Sequence, residues 1–385
     1  MSSPERVSER ARAALSERRV SGLLRQLEPR PARSPWLNLA DNDYLGLARD
    51  PAVIAAAAEA AREWGASASA SPLITGCTEL HDRLERALAA WHGYPHGLVW
   101  NSGFAANAAV LSLLPRRGDV VFADRLIHAS MIAGLLRSGA RLQRFPHNDL
   151  ASLRTALAEE SGGDRTVFVV TESVFSMDGD GPDLRVLAGL RREFGFFWVL
   201  DEAHATGWFG ANGAGALEAQ GCLGEPDVLV GTLGKALGSQ GAYTLFRDGA
   251  LREWLLNEAG EFVYSTYLAP PAVGAALAAL ERVRELAPER ESFPALSRSW
   301  RAAMRAAGTE VPEGDSPIVP VPLGSAERAV QVQQALRERG FRVSCIRPPT
   351  VPAGTARLRV SLRRGLTEQQ RDAFAAALGE ALSCA

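Results

Sequence analysis

From Pro51 to about Phe246 the chain switches back and forth between two hydrophobic periods, and no other feature narrows its fold as far. Helix-like runs are expected at Ala52–Trp64, Glu79–Trp91, Ala105–Leu113, Ala129–Arg137, Asp149–Glu159 and Leu184–Phe194. Between them lie short apolar, β-rich runs at Gly97–Trp100, Val120–Ala123, Thr166–Thr171, Phe196–Leu200, Asp227–Val230 and Ala242–Phe246. Strands separated by helices of this length imply βαβ units and a mostly parallel sheet between two helical layers. The runs Val167–Val170 and Phe197–Leu200 are apolar throughout, as strands buried on both faces must be. Ligands of such sheets bind beyond the carboxyl ends of the strands. The residues that follow each strand are therefore where chemistry is to be sought.

After Pro270-Pro271 the pattern changes. Helices are expected at Ala272–Leu286, Phe293–Ala307, Ala326–Arg339 and Thr367–Leu382, with strands at Ile318–Val321, Phe341–Cys345 and Ala356–Leu362. The division this implies is an N-terminal helical arm over residues 1–50, a large α/β domain over 51–280 and a smaller α+β domain over 281–385. The 385 residues are 46% hydrophobic, enough for a large core, and the net charge of −2 gives no field to draw the chain to nucleic acid or an anionic membrane. No run of about 18 apolar residues is present to span a bilayer; Leu98–Leu114 comes nearest and is broken by Asn101, Ser102 and Asn107. Residues 1–30, with arginine and glutamate intermixed, read as a short amphipathic helix and not as a signal peptide. Cys77, Cys222, Cys345 and Cys384 lack metal-ligand spacing and read as reduced thiols of a cytoplasmic protein.

One lysine, Lys235, stands among 42 lysine and arginine residues. Arginine substitutes wherever only charge is needed, but a guanidinium does not lose its proton in a protein. A lone lysine is then either a remnant of compositional drift or an amine kept for its chemistry. Its setting, Val228–Val230 running into Thr232-Leu233-Gly234-Lys235, puts it just past an apolar strand, where a partly desolvated amine can form a Schiff base. The strand Phe197–Leu200 runs into Asp201-Glu202-Ala203-His204. Asp201 is either a helix cap or, beside a Schiff-base lysine, a partner for a protonated pyridine nitrogen. His204 is a structural histidine or a hydrogen-bonding group of the same site. Asn101–Asn107 is an ordinary strand-to-helix turn or, through Gly103, a phosphate-binding helix N-terminus. His128 is a cap or a ring to stack on a cofactor. Thr171–Asp180 adds hydroxyls and carboxylates at the same edge, Tyr264-Ser265-Thr266 forms a loop, and Ile346–Pro352 with Arg347, Arg357 and Arg359 suits carboxylates. A dinucleotide fingerprint, a P-loop and an H-E-x-x-H zinc site are all missing.

In order along the chain, Asn42–Leu47, Ser102–Asn107, Asp124–Ser130, Phe175–Asp180, Asp201–His204, Thr232–Lys235 and Tyr264–Thr266 resemble the α-oxoamine synthases. These are a branch of the fold-type I pyridoxal-phosphate enzymes. The resemblance implies a PLP-dependent transferase fold: a mostly parallel seven-stranded sheet between helices, a smaller C-terminal domain and a helical arm. It also implies a homodimer with shared active sites. By the same resemblance Lys235 carries the cofactor as a Schiff base, Asp201 pairs with the pyridinium, and His128 stacks on the ring. His204 and Ser176 bond the phenolic oxygen. Gly103, Phe104 and Thr232 lie at the cofactor, Thr232 on the phosphate, and Ser265 and Thr266 reach the neighbouring subunit's phosphate. Arg359, with Asn42, holds an amino-acid carboxylate, and Arg25 and Thr350 line the acyl-substrate site.

Ile346–Arg359 and Phe145–Asp149 look most like the members that condense L-alanine with a pimeloyl thioester, on CoA or acyl-carrier protein, in biotin synthesis. The sister pairing of glycine with acetyl-CoA, a secondary-metabolite acyl chain, an aminotransferase and a non-catalytic partner subunit are the alternatives. One departure bears on the acyl substrate. Gly65–Gly76 carries alanines where the family has glycines, and Pro72 where a small polar or basic residue is common.

Overall fold

The computed structural model describes residues 2–160 and 162–384. They fall into two compact units, one of residues 1–41, 296–314 and 318–385, the other of residues 42–295 and 315–317. The first unit begins with helix α1 (Ser3–Val20), capped by Ser2, and strand β1 (Leu37–Asn38). None of α1's residues is buried.

The second unit holds helices α2 (Pro51–Trp64), α3 (Glu79–His92), α4 (Gly103–Leu113), α5 (Ala129–Ser138), α6 (Leu150–Glu160) and α7 (Leu184–Phe194). Their starts are chemically marked. Asp50 Oδ1 accepts from the Ala52 N–H with Pro51 in the first turn, and Ser102 Oγ accepts from the Ala105 N–H. Its strands are β2 (His96–Trp100), β3 (Val120–Asp124), β4 (Arg141–Phe145), β5 (Val167–Glu172), β6 (Phe197–Asp201), β7 (Val228–Thr232) and β8 (Ala242–Phe246). They form one sheet in the order β2-β8-β7-β6-β5-β3-β4, parallel from β7 to β4, with β8 antiparallel to both neighbours. The seven-stranded, mostly parallel sheet that the resemblance implied is therefore present.

The strand of this sheet that the sequence pattern does not mark is β4, whose Arg-Leu-Gln-Arg-Phe carries exposed arginines at the sheet edge. An edge strand has one free side and tolerates charge there. The central strands are buried almost throughout, and Trp100, Trp198, Tyr243 and Phe246 are among the largest fully buried side chains. Gly231 on β7 faces Tyr243 on β8, and a Cβ there would lie 2.1 Å from the tyrosine Cζ. The absence of that Cβ lets the Tyr243 hydroxyl reach His92 Nε2 at 2.9 Å.

The first unit continues with β9 (Ile318–Gly324), β10 (Phe341–Arg342), β11 (Ser344–Ile346) and β12 (Ala356–Ser361). The order β11-β12-β9 makes an antiparallel three-stranded sheet, and β10 pairs in parallel with β1. The single strand expected over Phe341–Cys345 is thus two, broken at Val343, because the two pieces serve different sheets. The expected last helix begins at Glu368, since Thr367 is its cap and accepts from the Gln370 N–H.

Candidate active site

In the second unit β3, β5, β6 and β7 deliver their last residues to one edge of the sheet. Strand β7 ends at Thr232, whose hydroxyl donates to the Gly241 carbonyl at 3.1 Å and accepts from the Gly234 N–H at 3.2 Å. The turn that follows closes with the Gly238 N–H on the Lys235 carbonyl. Gly238 has φ +60°, and a Cβ there would lie 2.3 Å from the Ala48 nitrogen. The turn that presents Lys235 is thus fixed by a position only glycine can fill.

Lys235 Nζ lies 2.7 Å from His204 Nε2, and His204 Nδ1 lies 2.6 Å from the Tyr44 hydroxyl. That hydroxyl donates to Asn42 Oδ1 at 3.1 Å. With the tyrosine proton on Asn42, the imidazole donates from Nδ1 and leaves Nε2 as the acceptor for the lysine amine. Tyr44 and His204 are buried. The tautomer follows from the network.

Asp201, the last residue of β6, is buried. Its Oδ1 accepts from the Ala203 N–H and its Oδ2 from Asn107 Nδ2, each at 2.8 Å. Asn107 also donates to Ser130 Oγ at 3.2 Å, and Ser130 Oγ lies 2.7 Å from His128 Nδ1. His128 caps α5, Nδ1 accepting from the Ser130 N–H, so that nitrogen is unprotonated. Desolvation holds the His128 pKa below the usual imidazole value; Asp201 opposes that fall and Lys235 adds to it. His128 presents exposed surface while its backbone N–H donates to Glu172 Oε1 at 2.6 Å. Glu172 is fully buried on β5 and pairs in register with Asp201. Burial first, then the negative charge of Asp201, pushes its pKa well above the carboxylate range, so Glu172 holds a proton.

The remaining expected residues fall into two places. Gly103 opens α4, with Phe104 exposed beside it, and Ser176 is half-buried in a turn that the Phe175 N–H closes on the Asp180 carbonyl. The carbonyl of Thr266, next to half-buried Ser265, accepts from Asn101 Nδ2 at 2.7 Å. Arg25, Arg347, Thr350 and Arg359 belong to the first unit. There Arg25 donates to the Thr350 hydroxyl at 3.2 Å, and both line a cavity of about 1170 Å³ with Arg347, Trp36 and Arg337. Arg359 is buried on β12 and donates to Ser361 Oγ at 3.0 Å.

Asn107, Ser130, Tyr44 and Glu172 were not singled out from the sequence as site residues. Asn107 left a usable signal: it is the one polar side chain in the run Ala105–Leu111, and a buried amide demands partners.

The donor set fits pyridoxal phosphate. The carboxylate of Asp201 is buried against two neutral donors, which suits a cationic ring N–H as the third partner. The chain's one lysine supplies the amine, and the N-terminus of the 11-residue α4 suits a phosphate.

Comparison with known proteins agrees. Residues 34–378 match the family described as aminotransferase class I and II. The chain is 47% identical over 372 residues to the 8-amino-7-oxononanoate synthase of Anaeromyxobacter dehalogenans, covering 94% of this chain and 93% of that one. It is 43% identical over 371 residues to the enzyme of that name from a Mycobacterium species, covering 96% and 95%. Among solved structures, the serine palmitoyltransferase of S. paucimobilis with a bound PLP–myriocin aldimine matches with a TM-score of 0.89 at 29% identity, covering 97% of this chain and 96% of that one. The 8-amino-7-oxononanoate synthase of Francisella tularensis matches with a TM-score of 0.78 at 29% identity, covering 91% and 98%. The chain belongs to the class I and II aminotransferase family, in the branch of its 8-amino-7-oxononanoate synthases.

Proposed function

We propose that the protein joins L-alanine to a pimeloyl thioester, with pyridoxal phosphate as cofactor, to give 8-amino-7-oxononanoate for biotin synthesis in the cytoplasm. In the net reaction the alanine α-carbon gives up its proton and bonds to the thioester carbonyl carbon, while the C–S bond breaks and the sulfur leaves as the free thiol with a proton. The alanine carboxylate leaves as carbon dioxide, and a proton takes its place. The observation that carries this reading is Lys235 Nζ at 2.7 Å from His204, in one electrostatic cluster with Asp201 and His128.

When bound, the cofactor supplies an electron sink for charge left on the α-carbon. Lys235 is the attachment amine and then the base that removes the α-proton and returns one. A base must be neutral, and His204 Nε2 gives its proton a hydrogen-bonded position. Asp201 holds the ring nitrogen protonated, with its two oxygens fixed by Ala203 and Asn107. His128 would stack on the ring, its pKa held below the usual imidazole value by burial. Ser176 and His204 would bond the phenolic oxygen, and Gly103, Phe104 and Thr232 would lie at the cofactor, Thr232 on its phosphate. Ser265 and Thr266 reach the cofactor of the partner subunit in a homodimer. Substrate binding is proposed for Arg25, Asn42, His128, Arg347, Thr350 and Arg359.

The test is a titration of the purified protein, loaded with pyridoxal phosphate, by L-alanine, glycine and L-serine. The visible spectrum is followed, then product is assayed with pimeloyl-CoA and pimeloyl-acyl-carrier protein. The largest spectral response to alanine, with product from a pimeloyl thioester, is expected. A preference for glycine or serine moves the activity to a sister reaction. Failure to bind the cofactor at all removes the reading.

A further inference from the structure

A second charged cluster lies at the same sheet edge. His147, in the turn after β4, has Nδ1 at 2.9 Å from Asp124 Oδ1 and Nε2 at 3.0 Å from Asp180 Oδ2. With a carboxylate on each ring nitrogen, both nitrogens are donors and the ring is a cation. Burial alone would lower its pKa, but the bonds to Asp124 and Asp180 outweigh that and raise it to about 10. The next residue repeats the bridge: the Asn148 N–H donates to Asp124 Oδ2 at 2.8 Å and its Nδ2 to Asp180 Oδ2 at 3.1 Å. Phe175 packs edge-on against the imidazole, ring centroids 4.4 Å apart.

The two acids belong to separate segments. Asp124 is fully buried at the end of β3, and its Oδ1 also accepts from the Leu126 N–H at 2.8 Å, which sets the turn leading to His128. Asp180 closes the turn that holds Ser176, its carbonyl accepting from the Phe175 N–H at 2.8 Å. One imidazolium therefore links the turn before His128 to the loop of Ser176.

We propose that His147 is a positioning residue for the reaction, a cation clamped between Asp124 and Asp180 that holds the His128 turn and the Ser176 loop in the spacing the cofactor requires. The proposal rests on the assignment of His128 and Ser176 to the cofactor.

The test compares wild type with His147→Ala, His147→Gln and Asp180→Asn. It reads the dissociation constant of pyridoxal phosphate from the apoprotein, the visible circular dichroism of the bound cofactor, and the split between kcat and KM for alanine. His147→Ala is expected to weaken cofactor binding tenfold or more and to change the visible dichroism while far-ultraviolet dichroism stays native. His147→Gln, which keeps one donor, is expected to recover part of the affinity. Asp180→Asn changes only the half-exposed side of the clamp and guards against misfolding of the first variant; it should weaken binding several-fold. Wild-type cofactor affinity and dichroism in folded His147→Ala, or in Asp180→Asn should His147→Ala not fold, would overturn the proposal. Failure of the wild-type protein itself to bind the cofactor would instead remove the functional reading beneath it.

Discussion

The Asn107–Asp201 hydrogen bond offers the sharpest check on how the site is built. Replacing Asn107 with Ala deletes one of the two donors to a buried carboxylate, across 2.8 Å, and leaves Ser130 Oγ with only its His128 contact. A hydrogen bond to a charged group contributes about 1.5–3 kcal/mol, and at this burial water does not replace the donor. In the apoprotein that cost is borne by the folded state, so the unfolding free energy falls by about 1.5–3 kcal/mol. The cofactor adds a second effect. A carboxylate with one fixed donor fewer is no longer held facing the ring nitrogen, so its charge favours the protonated ring less. Cofactor affinity should therefore drop roughly 10- to 100-fold, since about 1.4 kcal/mol is a factor of ten. Denaturant unfolding of the apoprotein and fluorescence titration with pyridoxal phosphate measure the two separately. A variant within about 0.5 kcal/mol of wild type in stability and within twofold in affinity would refute the argument, because it would mean that Ala203 alone suffices to hold Asp201.

Three further outcomes are expected. Lys235→Ala leaves folding intact and abolishes turnover, as steady-state assays with alanine and pimeloyl-CoA would show; substantial activity would exclude the lysine as base. Glu202, buried beside Asp201 with its pKa raised to about 8 chiefly by desolvation, keeps a proton that the unfolded chain has released above the ordinary value near 4.5. Wild type therefore loses stability as pH rises from about 4.5 to about 8, whereas Glu202→Gln removes that slope; denaturant unfolding at several pH values measures it, and parallel profiles would contradict it. Gly231→Ala drives a methyl group into the Tyr243 ring and costs about 1–3 kcal/mol or more in thermal or chemical unfolding, with no change expected only if the sheet can widen there.

What the sequence revealed and what it withheld follow from how each contact is made. Strands such as Phe197–Leu200 were readable because burial on both faces forces an unbroken apolar run. Lys235 was readable because composition isolates it and the neighbouring strand places it at the sheet edge. Strand β4 was hidden because an edge position lets Arg141 and Arg144 face solvent, so the apolar signal is diluted. The antiparallel direction of β8 was also hidden, since a buried strand reads alike in either direction. The clamp on Asp201 was out of reach for a different reason. Asn107 lies 94 residues away in sequence, and only the packing of α4 against the sheet brings amide and carboxylate together. The imidazole–tyrosine pair is similar, with Tyr44 and His204 160 residues apart. Local pattern marks where a strand ends; it does not say what comes to meet the end.

The strand ends also explain how a protein with so many acids at one edge singles out one of them. Strands β3, β5 and β6 finish in Asp124, Glu172 and Asp201, all buried. Three like charges so placed would repel strongly, and each is handled differently. Asp124 is matched by the His147 imidazolium and by the backbone N–H groups of Leu126 and Asn148. Glu172 keeps its proton, held by burial and by the charge of Asp201 next to it in register. Asp201 alone of the three is met by an amide side chain and a single backbone N–H, both neutral. The place for a positive partner is thereby defined by subtraction: one acid has its cation, one has its proton, and the third faces the site. Changing Glu172 to Gln should preserve this arrangement, because a glutamine keeps the acceptor for the His128 N–H without adding charge. Changing Asp124 to Asn should disturb it, because His147 then loses half of the negative charge that keeps it a cation. Cofactor affinity near that of wild type in Glu172→Gln and reduced in Asp124→Asn would bear out this division of charge; the reverse order would show that Glu172, and not Asp201, carries the charge that the ring nitrogen meets.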